Sequence, residues 1–124
     1  MEIMNKYRNT DKDIHKRIYR FIVDCFRDIV RKIPKTPENI PIIGQLSSSL
    51  TSMGANDQEA DATLSKKDFV AKYAIVRKET KETLYWLSFI KDSSIVTASN
   101  FDYYLSECEE IRNVVSSIIE KSHR

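Results

Sequence analysis

The sequence predicts an all-α fold, an antiparallel up-down-up-down four-helix bundle, and three observations carry that prediction. Apolar residues recur at steps of three and four along most of the chain, the spacing of one buried helical face. Prolines and short polar clusters interrupt this spacing, leaving helices of bundle length joined by short connections. No segment alternates apolar and polar residues as a half-buried strand does. With 124 residues, 41% of them hydrophobic and 31% charged, a single domain over 1–124 with a core that needs no staples is expected.

The first helix is placed at about residues 11–33. Ile14, Ile18, Phe21, Ile22, Cys25, Phe26, Ile29, Val30 and Ile33 form one wide apolar stripe. Thr10 or Asp11 can cap its start, and Pro34 with Pro37 forbids continuation past Ile33. Its other faces carry Lys12, Lys16, Arg17, Arg20, Arg27, Arg31 and Lys32. Asp24 and Asp28 stand three or four residues from Arg20, Arg27, Arg31 or Lys32, which leaves Arg17 and Arg20 as the freer cations.

The second helix, about 39–60, has Pro41 in its first turn and a body of Ile42, Ile43, Leu46, Leu50 and Met53. Ser47, Ser48, Ser49, Thr51, Ser52, Gly54 and Ala55 lie between them, and no charge occurs from Ile40 to Asn56. Small residues let backbones approach closely, and their hydroxyls can bond back to carbonyls one turn earlier. Gly54 inside a helix costs about 1 kcal/mol relative to alanine, so a packing reason is expected. A helix with so little charge is expected to be buried at the bundle centre or between subunits.

Ser65-Lys66-Lys67-Asp68 reads as a capping box opening the third helix, about 65–91, which runs through Phe69, Tyr73, Val76, Thr80, Thr83, Leu84, Leu87 and Ile90. Tyr85 and Trp86 add aromatic rings with polar handles, a type enriched at interfaces. Ser99 or Asn100 can cap the last helix, about 100–122, built on Phe101, Tyr104, Leu105, Cys108, Ile111, Val114, Val115, Ile118 and Ile119. Asp102, Glu107, Glu109 and Glu110 make its exposed faces acidic.

The net charge of +2 divides by segment: +5 over residues 1–36, −4 over 37–64, +4 over 65–91 and −3 over 92–124. Such alternation suits basic helices lying beside acidic ones, within or between subunits, and equally suits ordinary solvated faces. Cys25 and Cys108 sit at helical spacing among apolar residues, which fits buried free thiols and a reducing cytosol. No apolar run approaches the ~20 residues of a membrane span, and the N-terminus lacks the apolar stretch of a secretion signal. A cytoplasmic location with no membrane partner is expected.

Catalytic patterns are sparse. His15 has only Asp11 one turn before it and His123 stands alone, so both read as surface histidines without metal-ligand spacing. Gly44 and Gly54 are the chain's two glycines, too few for a phosphate-cradling loop, and no nucleophile elbow accompanies Ser47-Ser48-Ser49. The expectation is a non-enzyme with no metal and no cofactor. Lys12, Lys16, Arg17, Arg20, Lys66, Lys67, Lys72, Lys78 and Lys81 remain as candidates for phosphate contact, which would make binding salt-dependent and indifferent to base sequence. Solubility charge is the alternative.

Thr51-Ser52-Met53-Gly54-Ala55-Asn56, then Glu59-Ala60, then Ser65-Lys66-Lys67-Asp68-Phe69 and Lys78-Glu79 through Glu82-Thr83-Leu84-Tyr85-Trp86-Leu87, resembles the bacterial "four helix bundle protein" family. That family includes the 23S rRNA intervening-sequence proteins and is related to the accessory variability determinant of diversity-generating retroelements. The layout matches from about Asp11 to Lys121. Relatives read approximately Thr-Ser-Ile-Gly-Ala-Asn or Ser-Ile-Pro-Ala-Asn, then Glu-Ala or Glu-Gly. Here Met53 replaces the isoleucine, Ser47 and Ser48 stand where the Ser-Ile-Pro branches often carry arginines, and Asp57 stands where an apolar residue is common. The resemblance implies a homopentameric assembly of antiparallel bundles. For the retroelement relatives it also implies binding to a reverse transcriptase and to RNA or DNA through a basic surface. Ser52, Met53, Gly54, Ala55, Asn56, Glu59, Tyr85 and Trp86 are the expected helix-packing or oligomer-interface residues.

Overall fold

A computed structural model describes residues 14–98 and 100–123. The expected cap at Thr10 or Asp11, Lys12, the cap at Ser99, and Arg124 lie outside the described residues. Helix α1 spans Ile14–Asp28, α2 Ile40–Asp61, α3 Lys66–Asp92 and α4 Phe101–Ser122, and no strand occurs among the described residues. The first helix ends earlier than its apolar stripe suggests. After Asp28 the chain tightens into a 3-10 turn at Val30–Lys32, and Ile33 turns extended at φ −71°, ψ 122°. Pro34 requires this, because its ring excludes the α conformation from the residue before it. Asn39 Nδ2 then donates to the Pro34 carbonyl at 3.0 Å, pinning the linker ahead of α2.

Each helix packs on two neighbours, in the ring order α1, α2, α3, α4 and back to α1. Cross-links between partners run in opposite senses along the paired helices. His15 and Asp57 join the start of α1 to the end of α2. Asp57–Tyr73 and Ser49–Thr83 join α2 to α3. Lys91–Asp102 and Thr80–Cys108 join α3 to α4. Arg17–Glu107 and Asp28–Tyr104 close the ring between α1 and α4. Every neighbouring pair is therefore antiparallel, as expected of an up-down-up-down bundle.

The core holds the expected apolar stripes: Ile14, Ile18, Phe21 and Cys25 from α1, Leu46, Leu50 and Met53 from α2, Phe69, Tyr73, Val76, Leu87 and Ile90 from α3, and Phe101, Tyr104, Cys108, Ile111, Val115 and Ile118 from α4. Where α2 meets α3, the hydroxyls of Ser49 and Thr83 are both fully buried. Thr83 Oγ1 lies 2.8 Å from Ser49 Oγ, and Ser49 Oγ donates to the Leu46 carbonyl at 3.1 Å, so neither hydroxyl is left without a partner. Small α2 side chains thus admit α3 closely and keep their polar atoms satisfied. At the start of α3, Ser65 Oγ accepts from the Asp68 amide at 3.1 Å, the hydrogen bond a capping box requires. Asn100 occupies the cap position of α4, yet its amide reaches Asp28 Oδ2 at 3.3 Å instead of capping the helix.

The two glycines have opposite surroundings. A Cβ on Gly44 would meet nothing within 4 Å, whereas one on Gly54 would lie 3.0 Å from Ile22 Cδ1 on α1. Gly44→Ala is therefore expected to raise stability by about 0.5–1 kcal/mol, through helix propensity alone. Chemical denaturation measures this directly, and a loss of stability would show that Gly44 has a packing role.

Both thiols are fully buried. Burial is the main cause that raises Cys25 well above the ordinary thiol range, with the nearby Cys108 and Asp24 adding to it. Burial likewise pushes Cys108 up to about 12, partly offset by Arg112. In the unfolded chain these thiols ionise near pH 9, so their contribution is intact below that pH. It is lost as pH rises toward the folded values, on the order of 1 kcal/mol per thiol per pH unit. Stability falling between pH 9 and 12, together with slow reaction of both thiols with maleimide at pH 8, is the expected outcome; rapid labelling of native protein would contradict it.

Candidate functional site

Ring order places the basic side chains on separate faces. Along α1, Lys16, Arg20 and Arg27 point outward and have no carboxylate partner among the described residues. At i, i+4 and i+11 they share one helical face about 16 Å long. Arg17 differs: its Nε and Nη2 grip the Glu107 carboxylate at 2.7 and 2.9 Å, with Glu110 at 3.7 Å. It is a two-pronged brace to α4, correcting its sequence reading as one of the freer cations. Glu107 was invisible to that reading because the pairing spans 90 residues.

The α3 cations divide similarly. Lys72 Nζ lies 2.6 Å from Glu59 and braces α3 to α2, while Lys78 approaches its neighbour Glu79 at 3.9 Å. Lys78 and Lys81, joined by Arg77, line a hollow of about 460 Å³ against Arg112 of α4. Lys66 and Lys67 border another beside Ser122 and His123 at the end of the bundle where α3 begins. The eight candidate cations among the described residues therefore do not form one continuous patch.

Lys16, Arg20 and Arg27, without a carboxylate partner among the described residues, border a groove between α1 and α2. Its outer part, about 490 Å³, is bordered by Lys16, Tyr19, Arg20, Val23, Asp24, Arg27 and Gln58. An inner part of about 500 Å³ continues past Ile22, Thr51, Gly54 and Ala55. Tyr19 is 70% exposed, one helical turn after Lys16 and next to Arg20 in the chain. The sequence reading overlooked Tyr19 and assigned Arg27 to an ion pair. An aromatic residue off the apolar stripe and flanked by cations was the available signal.

His15 forms the floor of both parts and is not the surface histidine the sequence suggested: its side chain is only 14% exposed. Nδ1 lies 2.9 Å from Asp57 Oδ2, and Nε2 lies 3.4 Å from Asp61 Oδ1. Tyr73, fully buried, donates its hydroxyl to Asp57 Oδ1 at 2.6 Å. Asp57, 1% exposed, is thereby held from α1 and α3 at once. No group of three or more histidine, cysteine or acidic side chains suited to a metal ion occurs among the described residues. No described helix is long and apolar enough to cross a membrane.

The expected interface residues fall in two settings. Met53 is fully buried and Gly54 faces Ile22, so both serve packing within the subunit. Asn56 Nδ2 donates to the Ser52 carbonyl at 3.0 Å and lies 3.1 Å from its hydroxyl, and Glu59 meets Lys72. Ala55 is exposed, as are Ile40, Gly44, Ser48 and Thr51 along the uncharged outer face of α2. Tyr85 is 59% exposed and packs edge-on against Trp86 at 4.9 Å, which in turn meets Phe89 at 5.9 Å.

The family model for 23S rRNA-intervening sequence proteins matches residues 10–117. A solved structure of a protein of unknown function from the S23 ribosomal protein family of Bacteroides thetaiotaomicron is similar to this chain. Its TM-score is 0.78 with 27% identity, covering 86% of this chain and 98% of that one. No match is found among curated proteins.

Proposed function

Because the chain belongs to the 23S rRNA-intervening sequence protein family, we propose that it is a non-enzymatic, self-assembling scaffold that binds RNA or DNA through its basic helices. The observation that carries this reading is the row Lys16, Arg20 and Arg27 beside the α1–α2 groove, cations with no carboxylate partner among the described residues. Cations already committed to carboxylates add little to phosphate binding, whereas free ones displace condensed counterions from the nucleic acid. Lys78 and Lys81 on the opposite side of the ring give each subunit a second basic surface.

Self-assembly is supported by the uncharged outer face of α2, where Ile40 is 58% exposed, and by the aromatic cluster at Tyr85 and Phe89. Apolar and small side chains in such numbers on one helix favour contact with another protein surface. A homopentamer is the assembly that the resemblance names. It would repeat each basic patch around a ring and turn several weak contacts into firm binding. The cytoplasm is the compartment of action in this reading. A reverse transcriptase is the protein partner, on the strength of the resemblance to the retroelement accessory protein.

The uncharged α2 face also favours a second reading, a protein-interaction module that binds no nucleic acid. Titration of labelled RNA and DNA at increasing salt separates the two. Nucleic-acid binding predicts affinity that falls steeply with salt and drops at least ten-fold when Lys16 and Arg20 are both reversed to glutamate. Unchanged affinity after that reversal would refute the assignment to this face.

A further inference from the structure

Tyr19 is a large aromatic residue that is 70% exposed on α1. It stands at the wall of a hollow of about 490 Å³, one helical turn after Lys16 and next to Arg20 in the chain, and Arg27 lines the same hollow further along α1. Gln58, across the groove on α2, brings a side-chain amide that can both donate and accept. A polyanion of uniform surface would use only the cations. An exposed aromatic ring lining one hollow with cations and an amide matches a ligand that is charged along its backbone and carries unpaired aromatic bases. Asp24 lines the same hollow and repels phosphate, which steers a strand's backbone to the Lys16–Arg20 end and to Arg27.

We infer that the α1–α2 groove is a single-strand site: an unpaired base stacks on Tyr19, the flanking phosphates lie on Lys16, Arg20 and Arg27, and the Gln58 amide meets the base edge. The inference presupposes the nucleic-acid binding proposed above and adds the class of strand. A duplex keeps its bases stacked inside and cannot offer one to Tyr19. The groove therefore discriminates between single and double strands by stacking, with charge common to both.

Anisotropy of a labelled oligoadenylate of about ten nucleotides, beside a duplex of equal length, tests this with the full chain. Tyr19→Ala is expected to weaken single-strand binding about ten-fold, whereas Tyr19→Phe, which keeps the ring, holds it within about two-fold. Duplex affinity should move little with either variant. Alanine at an exposed helical position favours the helix, so both variants should melt like the parent. If Tyr19→Ala leaves single-strand affinity unchanged while the Lys16/Arg20 reversal lowers it, stacking is wrong and the electrostatic reading survives. If neither change matters, both fall. Polyglutamate competing charge for charge with the oligonucleotide would mean that the groove takes acidic peptide, which overturns the single-strand site.

Discussion

Replacing Asp57 with alanine is expected to lower stability by about 3 kcal/mol, the largest effect of any single polar truncation in this bundle. Asp57 is 1% exposed and its carboxylate joins three helices: it belongs to α2, lies 2.9 Å from His15 of α1, and accepts from Tyr73 of α3 at 2.6 Å. Its removal leaves the Tyr73 hydroxyl without this acceptor in the core and takes one carboxylate from a mostly buried imidazole. Such stranded groups, and not the lost attraction alone, make breaking a buried pair expensive. Asp57→Asn keeps an acceptor for Tyr73 but removes the charge facing His15, so it should fall between the parent and alanine. Denaturant unfolding of Asp57→Ala, Tyr73→Phe and the double variant measures the coupling. Additive losses would show that the two side chains do not act together.

Gly54→Leu is expected to cost at least about 2 kcal/mol and to pry α1 from α2, even though leucine is the better helix former. The first added carbon would already lie 3.0 Å from Ile22 Cδ1, and leucine brings three more. Gly54→Ala should be nearly neutral, because the Ile22 methyl is the flexible end of a side chain and the propensity gain of about 1 kcal/mol offsets a small shift. Shortening the opposing side chain supplies the decisive control: Ile22→Ala should restore much of what Gly54→Leu loses. A Gly54→Leu variant with parental stability would remove the physical reason given for a glycine inside α2. Gly54 also lines the inner groove, so forcing the helices apart should alter the surface that carries Tyr19.

These two residues show what was legible in the sequence. The four helices could be read because their apolar stripes and their proline and serine boundaries are local signals. The need for close packing at Gly54 was legible for the same reason, and Ile22 supplies the neighbour that demands it. Asp57 was not legible as the centre of a network, since its partners are 42 and 16 residues away. Spacing rules for one helix cannot reveal pairs formed between helices. Arg17 was misjudged for that reason, as Glu107 reaches it from the fourth helix. The groove itself emerges only when α1 and α2 lie side by side, bringing Tyr19 and Gln58 to one surface.

Molar mass at micromolar concentration, measured by sedimentation or light scattering with and without RNA, tests the account most directly. An assembled nucleic-acid scaffold predicts a mass several times the 14.5 kDa of one chain, pentameric if the resemblance holds. Added RNA should raise that mass at low salt and dissociate as salt increases. A 14.5 kDa monomer whose mass RNA leaves unchanged would contradict it.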